Sequence, residues 1–250
     1  MIRAATAALA TLSLLGGASV SPVDLHAASR SQAAHVRATG SIQKPPIVWK
    51  PIPYGQKRLD EMAAYSKRHY GKRTWHLTSP HVIVEHYTDG TSFSSAWNTF
   101  AANSKHNGEL PGTCAHFIID TDGTIYQLAK LDVRCRHAIG MNWTAIGIEH
   151  VGTSDRMVLG NHAQMRSSLR LTLWLMHRYD VNVGNVIGHA ETLESSYHHE
   201  LYPEWQCWTH ADFPHWAMHE YRSRVRDLAT SRQPQHKPPS RAQRDRPHSP

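Results

Sequence analysis

His81-Val-Ile-Val-Glu-His-Tyr87, closed by Thr88-Asp89-Gly90, alternates along its length and is rich in β-branched residues. Branched side chains pack well on a pleated surface, and successive residues face opposite sides, so the run reads as a strand that ends at the turn residues. Before it, Leu59, Met62, Ala63 and Ser66 recur at helical spacing between Gln56 and Tyr70, and Gly71 stops them. After it, Phe93, Trp97 and Phe100 mark a short helix. Thr113–Asp120 and Thr124–Ala129 flank Thr121-Asp122-Gly123 and form a hairpin. Further strands are expected at Val133–Ala138 and Ala145–Val151. A long helix is expected from about His162 to Asp180, a short buried strand at Val183–Ile187, and a final helix striped by Met218, Tyr221, Val225 and Leu228. Helices and strands in this order predict an α/β fold, a single domain with a central mixed β-sheet flanked by helices on both faces.

The composition agrees with a folded domain. Of 250 residues, 40% are hydrophobic and 19% charged, enough to bury a core. Lys and Arg exceed Asp and Glu by 27 − 20 = 7, and such a basic balance suits an anionic partner without choosing which. No apolar run reaches the roughly 18 residues of a membrane span, so a membrane-spanning protein is excluded. Arg3, the apolar stretch Ala7–Leu15 and the small residues Gly16–Ser19 read as an export signal, with small residues recurring to Ala28. The expected organisation is a signal peptide at 1–28, a polar linker at 29–53, the domain at 54–230 and a disordered basic tail at 231–250. That tail holds five prolines and no large apolar residue. The expected location is secreted, extracellular or in the cell wall, where a disulfide can persist.

The chemistry-bearing residues sit where strands run out. His86 ends one strand and His189 follows Val186-Ile187-Gly188; side chains converge at such ends in open α/β sheets. A lone histidine is more often a satisfied polar group, but Thr209-His210-Ala211-Asp212 adds a carboxylate before the last helix. Two imidazoles and a carboxylate suit Zn²⁺ and keep its fourth position open.

Taken in order, VIVEHYTDG, CAHFIIDTDGTIYQL, RHAIG, NWTAIGIEHVG, VIGHAE and THAD resemble the zinc-dependent N-acetylmuramoyl-L-alanine amidases of the second amidase family, over roughly His81–Val225. The resemblance implies Zn²⁺ as cofactor, with His86, His189 and Asp212 as ligands. It sets Glu149 beside the metal's water as proton acceptor and His210 as donor to the oxyanion. His137, Asn142 and His116 fall among substrate-binding positions. The implied substrate is peptidoglycan or a muropeptide, cut between the lactyl group of N-acetylmuramic acid and the L-alanine of the stem peptide. His210 departs from the lysine that the family usually carries, and the stretch from Thr192 to Trp208 is long.

Cys114 and Cys135 lie in matching Cys-x-His frames. A Cys–His metal cluster is one reading; in an exported chain a Cys114–Cys135 disulfide is preferred. Cys207 is an alternative third ligand or a buried structural thiol. Trp205 and Trp208 are the tryptophans nearest an expected groove. Two other classes are weighed: a peptidoglycan-binding module that does not cut, which chelator-sensitive release of stem peptide distinguishes, and a polyanion binder. The cations lack interleaved aromatic stacking positions, so no nucleic-acid partner is expected.

Overall fold

The computed structural model describes residues 42–231; the expected export signal, the first part of the expected linker and nearly all of the basic tail lie outside the described residues. Six strands make one sheet: β1 (Val48–Trp49), β2 (Val82–Tyr87), β3 (Phe117–Ile119), β4 (Ile125–Gln127), β5 (Ala145–His150) and β6 (Val186–Gly188). Their order is β1-β4-β3-β5-β2-β6, with β3 and β4 antiparallel and every other pair parallel. Five helices accompany them: α1 (Gln56–Tyr70), α2 (Phe93–Ala101), α3 (Asp155–Gly160), α4 (His162–Tyr179) and α5 (His215–Ser231).

The two-residue period of the strands divides the core. Ile83, Ile146, Ile148, Phe117 and Ile119 point to one face, where they meet Val158 and Leu159 of α3, Met165, Leu171 and Leu175 of α4, and Met218, Tyr221 and Val225 of α5. Their alternates face the other way. Ile118 packs with Ala96 and Phe100 of α2, and Val82, Val84 and Ala145 pack with Met141. The expected mixed sheet with helices on both faces is therefore what forms. Helix ends follow their local chemistry: the Asn161 side chain caps α4 by accepting from the amides of Ala163 and Gln164, and Ser92 caps α2.

Three stretches depart from expectation. Residues 42–53, assigned to a linker, join the fold: β1 adds to the sheet edge, the amides of Lys50 and Ile52 donate to Gln127 and Leu128, and Ile52 is buried. Val48 and Trp49 pair through the main chain while their side chains stay exposed, so no burial pattern marks them. Val133–Ala138 is irregular rather than a strand. Its order comes from the Arg136 guanidinium donating to the carbonyls of His106, Glu109 and Pro111, and from a disulfide to Cys114. Val183–Asn185 is a 3-10 turn, and the strand begins only at Val186.

The Cys114–Cys135 disulfide is present and both sulfurs are buried. It closes a loop whose ends are 21 residues apart, which corresponds to about 3 kcal/mol of stabilisation through the restricted unfolded chain. A Cys114→Ala/Cys135→Ala double variant is expected to lose about that much in urea titration; an unchanged midpoint would show that the bridge does not hold the 133–138 segment in place.

Candidate metal centre

The site forms at the C-terminal ends of three adjacent parallel strands. In the β2–β5 register His86 lies opposite Glu149, and in the β2–β6 register Glu85 lies opposite Gly188. One step further along, His189 falls beside His86, so His86, Glu149 and His189 occupy one row across the sheet. Glu85 and His150 point to the opposite side of the sheet and are buried there. His150 Nδ1 donates to the His86 carbonyl (2.8 Å) and its Nε2 meets Ser168 (2.8 Å), tying the end of β2 to α4.

Asp212 arrives from much later in the chain, and a glycine lets it in. A Cβ on Gly188 would lie 1.8 Å from the Phe213 carbonyl oxygen, so that carbonyl can rest there only on a bare α-carbon. The amide of Ala190 donates to the Asp212 carbonyl (2.9 Å), which completes the docking. Phe213 itself has φ +51°, a strained conformation for a bulky residue. Its buried ring and a 2.7 Å hydrogen bond from its amide to the Asp155 carboxylate hold it there. Glu191 steadies the other side, accepting from the Gly188 amide and from both terminal nitrogens of Arg222 on α5. Neither Asp155 nor Arg222 was foreseen from sequence. Glu191 lies within the quoted VIGHAE run, and its position three residues after Gly188 at the opening of a turn is the signal that was there to use.

The resulting donors form a small triangle. His86 Nδ1 and His189 Nδ1 are 3.0 Å apart, and each lies 3.3 Å from an oxygen of Asp212. Four ligands about 2.05 Å from a tetrahedral Zn²⁺ are separated by roughly 3.3 Å, so the spacing suits that ion. Burial lowers the His86 pKa to about 4 against the raising pull of Asp212, which leaves a neutral imidazole at pH 7. Burial alone would raise Asp212, but the two imidazoles set against it, His189 and His86, outweigh burial and hold the carboxyl well below the usual range. Two imidazole nitrogens and a carboxylate thus converge, a set that a cation satisfies. Among the described residues His86, His189 and Asp212 form the one such cluster.

Glu149 lines the same cleft, of about 460 Å³, together with His137, His210, Trp208 and Asn142. Its Oε2 is buried without a hydrogen-bond partner. Burial, and then the Asp212 carboxylate, raise its pKa to about 8, close to neutral pH, where a group can both take and give a proton. His210 stacks on the His189 ring, centroids 4.6 Å apart and planes 14° apart. Desolvation at the cleft wall and the neighbouring His189 lower its pKa, so it presents a neutral ring with one N–H.

The residues grouped as substrate-binding separate. His137 is in the cleft, but its Nδ1 is 3.1 Å from His86 Nε2 and its Nε2 is 3.4 Å from the Ala145 carbonyl. Asn142 touches the cleft while its polar atoms serve the fold: Oδ1 accepts from the amides of His137 and Ala138, and Nδ2 donates to the Tyr70 hydroxyl. His116 is not placed beside substrate at all. It is fully buried, donates from Nε2 to the Val133 carbonyl and accepts at Nδ1 from the Gly147 amide. Cys207 is exposed rather than a buried thiol, and it lies outside the converging His86, His189 and Asp212 group. Trp208 lines the cleft, whereas Trp205 packs with Met62 and Tyr65 and stacks on His69.

The buried His116 makes a pH-dependent contribution to stability. Burial lowers its pKa from 6.5 to about 4, so as pH falls the unfolded chain takes up the proton first. Stability from this group is complete above pH 6.5 and is lost as pH drops towards 4, by about 3 kcal/mol. Denaturant titrations between these limits should show a flatter acid slope in His116→Gln than in the wild type. Parallel slopes would mean that His116 titrates alike in both states.

A sequence model described as N-acetylmuramoyl-L-alanine amidase matches residues 76–203, more than half of the chain, including His86, Glu149 and His189. Among solved structures, similarity is found to the endolysin amidase LysCS from Clostridium intestinale URNW, at 25% identity over 56% of this chain and 79% of that one, TM-score 0.38. A mutant endolysin from Bacillus subtilis shows 22% identity over 58% and 84% of the two chains, TM-score 0.38. The amidase AmiD from E. coli, solved with an anhydro-muramyl tripeptide, shows 23% identity over 46% and 50%, TM-score 0.37. No curated protein matches the chain. On the extent of the family match, and with a cleft that gathers its histidines and a buried glutamate at the ends of parallel strands, the chain belongs to the N-acetylmuramoyl-L-alanine amidase family.

Proposed function

We propose that this amidase cuts the amide between the lactyl group of N-acetylmuramic acid and the L-alanine of the peptidoglycan stem peptide, with Zn²⁺ held by His86, His189 and Asp212. The observation that carries the reading is the 3.0–3.3 Å triangle of two imidazole nitrogens and a carboxylate beside an unpartnered buried glutamate oxygen. When bound, the cation supplies Lewis acidity, which makes water nucleophilic at neutral pH and draws charge from the scissile carbonyl. Glu149 takes the proton of the attacking water on Oε2 and delivers it to the departing alanine nitrogen. His210 turns its one N–H towards the oxygen that gains charge, with its ring held flat on His189. Trp208, half-exposed at the rim, offers an apolar face to the substrate.

Residues 1–28 read as an export signal and direct the enzyme to the wall it acts on; the buried disulfide is consistent with an oxidising compartment. No helix among the described residues is long and apolar enough to cross a membrane. Mass spectrometry of products from purified peptidoglycan tests the bond: free stem peptides beginning with L-alanine are expected. Peptide still joined to muramic acid would place the cut elsewhere.

A further inference from the structure

We infer that His137 is a positioning residue that fixes the tautomer and rotation of His86, so that His86 presents a bare Nδ1 to the cation. The inference rests on the metal site proposed above and adds a role for a residue otherwise assigned to the substrate groove. A carbonyl oxygen can only accept, so the His137 nitrogen facing Ala145, Nε2, carries the hydrogen. Among the described residues the ring meets an imidazole on one side and that carbonyl on the other, with no carboxylate in ion-pair range, so the neutral ring is the form held there. Its Nδ1 is then a bare acceptor, and the partner 3.1 Å away, His86 Nε2, must donate. A neutral His86 with its hydrogen on Nε2 has its lone pair on Nδ1, the atom that points at His189 and Asp212. Orientation of a metal-binding imidazole through its second nitrogen is a general device, here supplied by another imidazole.

The placement of His137 is itself built. The two rings meet edge to face, centroids 5.2 Å apart and planes at 86°. Beneath the His137 ring lies Gly147 of β5, where a Cβ would come within 2.7 Å of the ring's Cγ; a side chain there would push the ring off the strand. From behind, Asn142 accepts from the His137 amide at 2.8 Å and is anchored by the Tyr70 hydroxyl of α1. The chain of contacts runs from α1 through Asn142 and the His137 main chain to the His137 ring and His86, while the other ring nitrogen, Nε2, meets the Ala145 carbonyl.

The test uses the full-length protein and Zn²⁺ alone as probe. Long-range ¹H–¹⁵N correlation on the metal-free wild type is expected to show the His86 hydrogen on Nε2; a hydrogen on Nδ1 overturns the inference without any variant being made. Zn²⁺ affinity, read by competition with a chromophoric chelator, is expected to fall roughly 10- to 100-fold in His137→Leu. His137→Asn, whose Oδ1 falls where the His137 Nδ1 acceptor stood, should keep most of that affinity. Equal losses in both variants, or none in either, overturn the positioning role while the metal site stands. A wild-type protein that takes up no Zn²⁺ overturns the site and this inference together.

Discussion

Glu149→Gln is expected to lower kcat on peptidoglycan by on the order of 10²- to 10⁴-fold, the usual contribution of a positioned proton-transfer group. The substitution keeps the shape of the side chain and removes its basicity. Glu149 is half-buried on β5, opposite His86 in the register, so Gln fits the same place in the sheet. It makes no part of the ligand triangle, so Zn²⁺ uptake should stay at the wild-type level. That split separates loss of chemistry from loss of metal. Burial and the nearby Asp212 carboxylate raise the pKa of Glu149 to about 8 in the metal-free protein, so the variant should also lose the pH dependence that this group imparts on metal-free stability. Native Glu149 holds its proton up to about pH 8 while the unfolded chain releases it near 4.5; stability from this group is therefore full below pH 4.5 and lost as pH rises towards 8. A variant with near-normal kcat would remove Glu149 from the reaction.

Asp212→Ala is expected to abolish both Zn²⁺ binding and hydrolysis, and chelation of the wild type should reproduce the second effect, reversed by Zn²⁺. The carboxylate supplies the negative charge of the triangle; His86 and His189 alone leave two imidazole nitrogens 3.0 Å apart. The carboxyl held well below its usual range gains that stabilisation from His189 and His86 despite burial, so it is ionised throughout the working range. Cys207→Ala should change neither property, because Cys207 is exposed and lies outside the ligand cluster. The pair of variants decides the third ligand by measurement of bound zinc, and retention of stoichiometric metal in Asp212→Ala would sink the assignment.

Much of the fold was legible because it is written in short periods. The helix ending before Gly71, the strand carrying His86, the hairpin around Gly123 and the strand carrying Glu149 each announce themselves in a window of a few residues. The period of two puts His86 and Glu149 on one face, and their place at strand ends points to a cleft. The convergence of His189 follows from β6 pairing next to β2, a fact of tertiary order. The resemblance to the amidase family supplied the proposed ligand set, including Asp212, which lies beyond the matched residues 76–203.

What stayed hidden has no local period. β1 pairs through its main chain and exposes Val48 and Trp49, so hydrophobicity does not mark it. His116, Asn142 and His137 look alike in sequence, as polar residues near a motif. The folded chain sorts them into a buried tie between strands, an anchor for a loop and a partner for His86. Residue order alone determined which faces are apolar, where strands stop and which chemical groups are available, because those depend on neighbours along the chain. Only the folded structure decided which nitrogen meets which acceptor and that Phe213 rests on the bare α-carbon of Gly188, because hydrogen bonds and close packing act over a few ångströms between residues far apart in sequence.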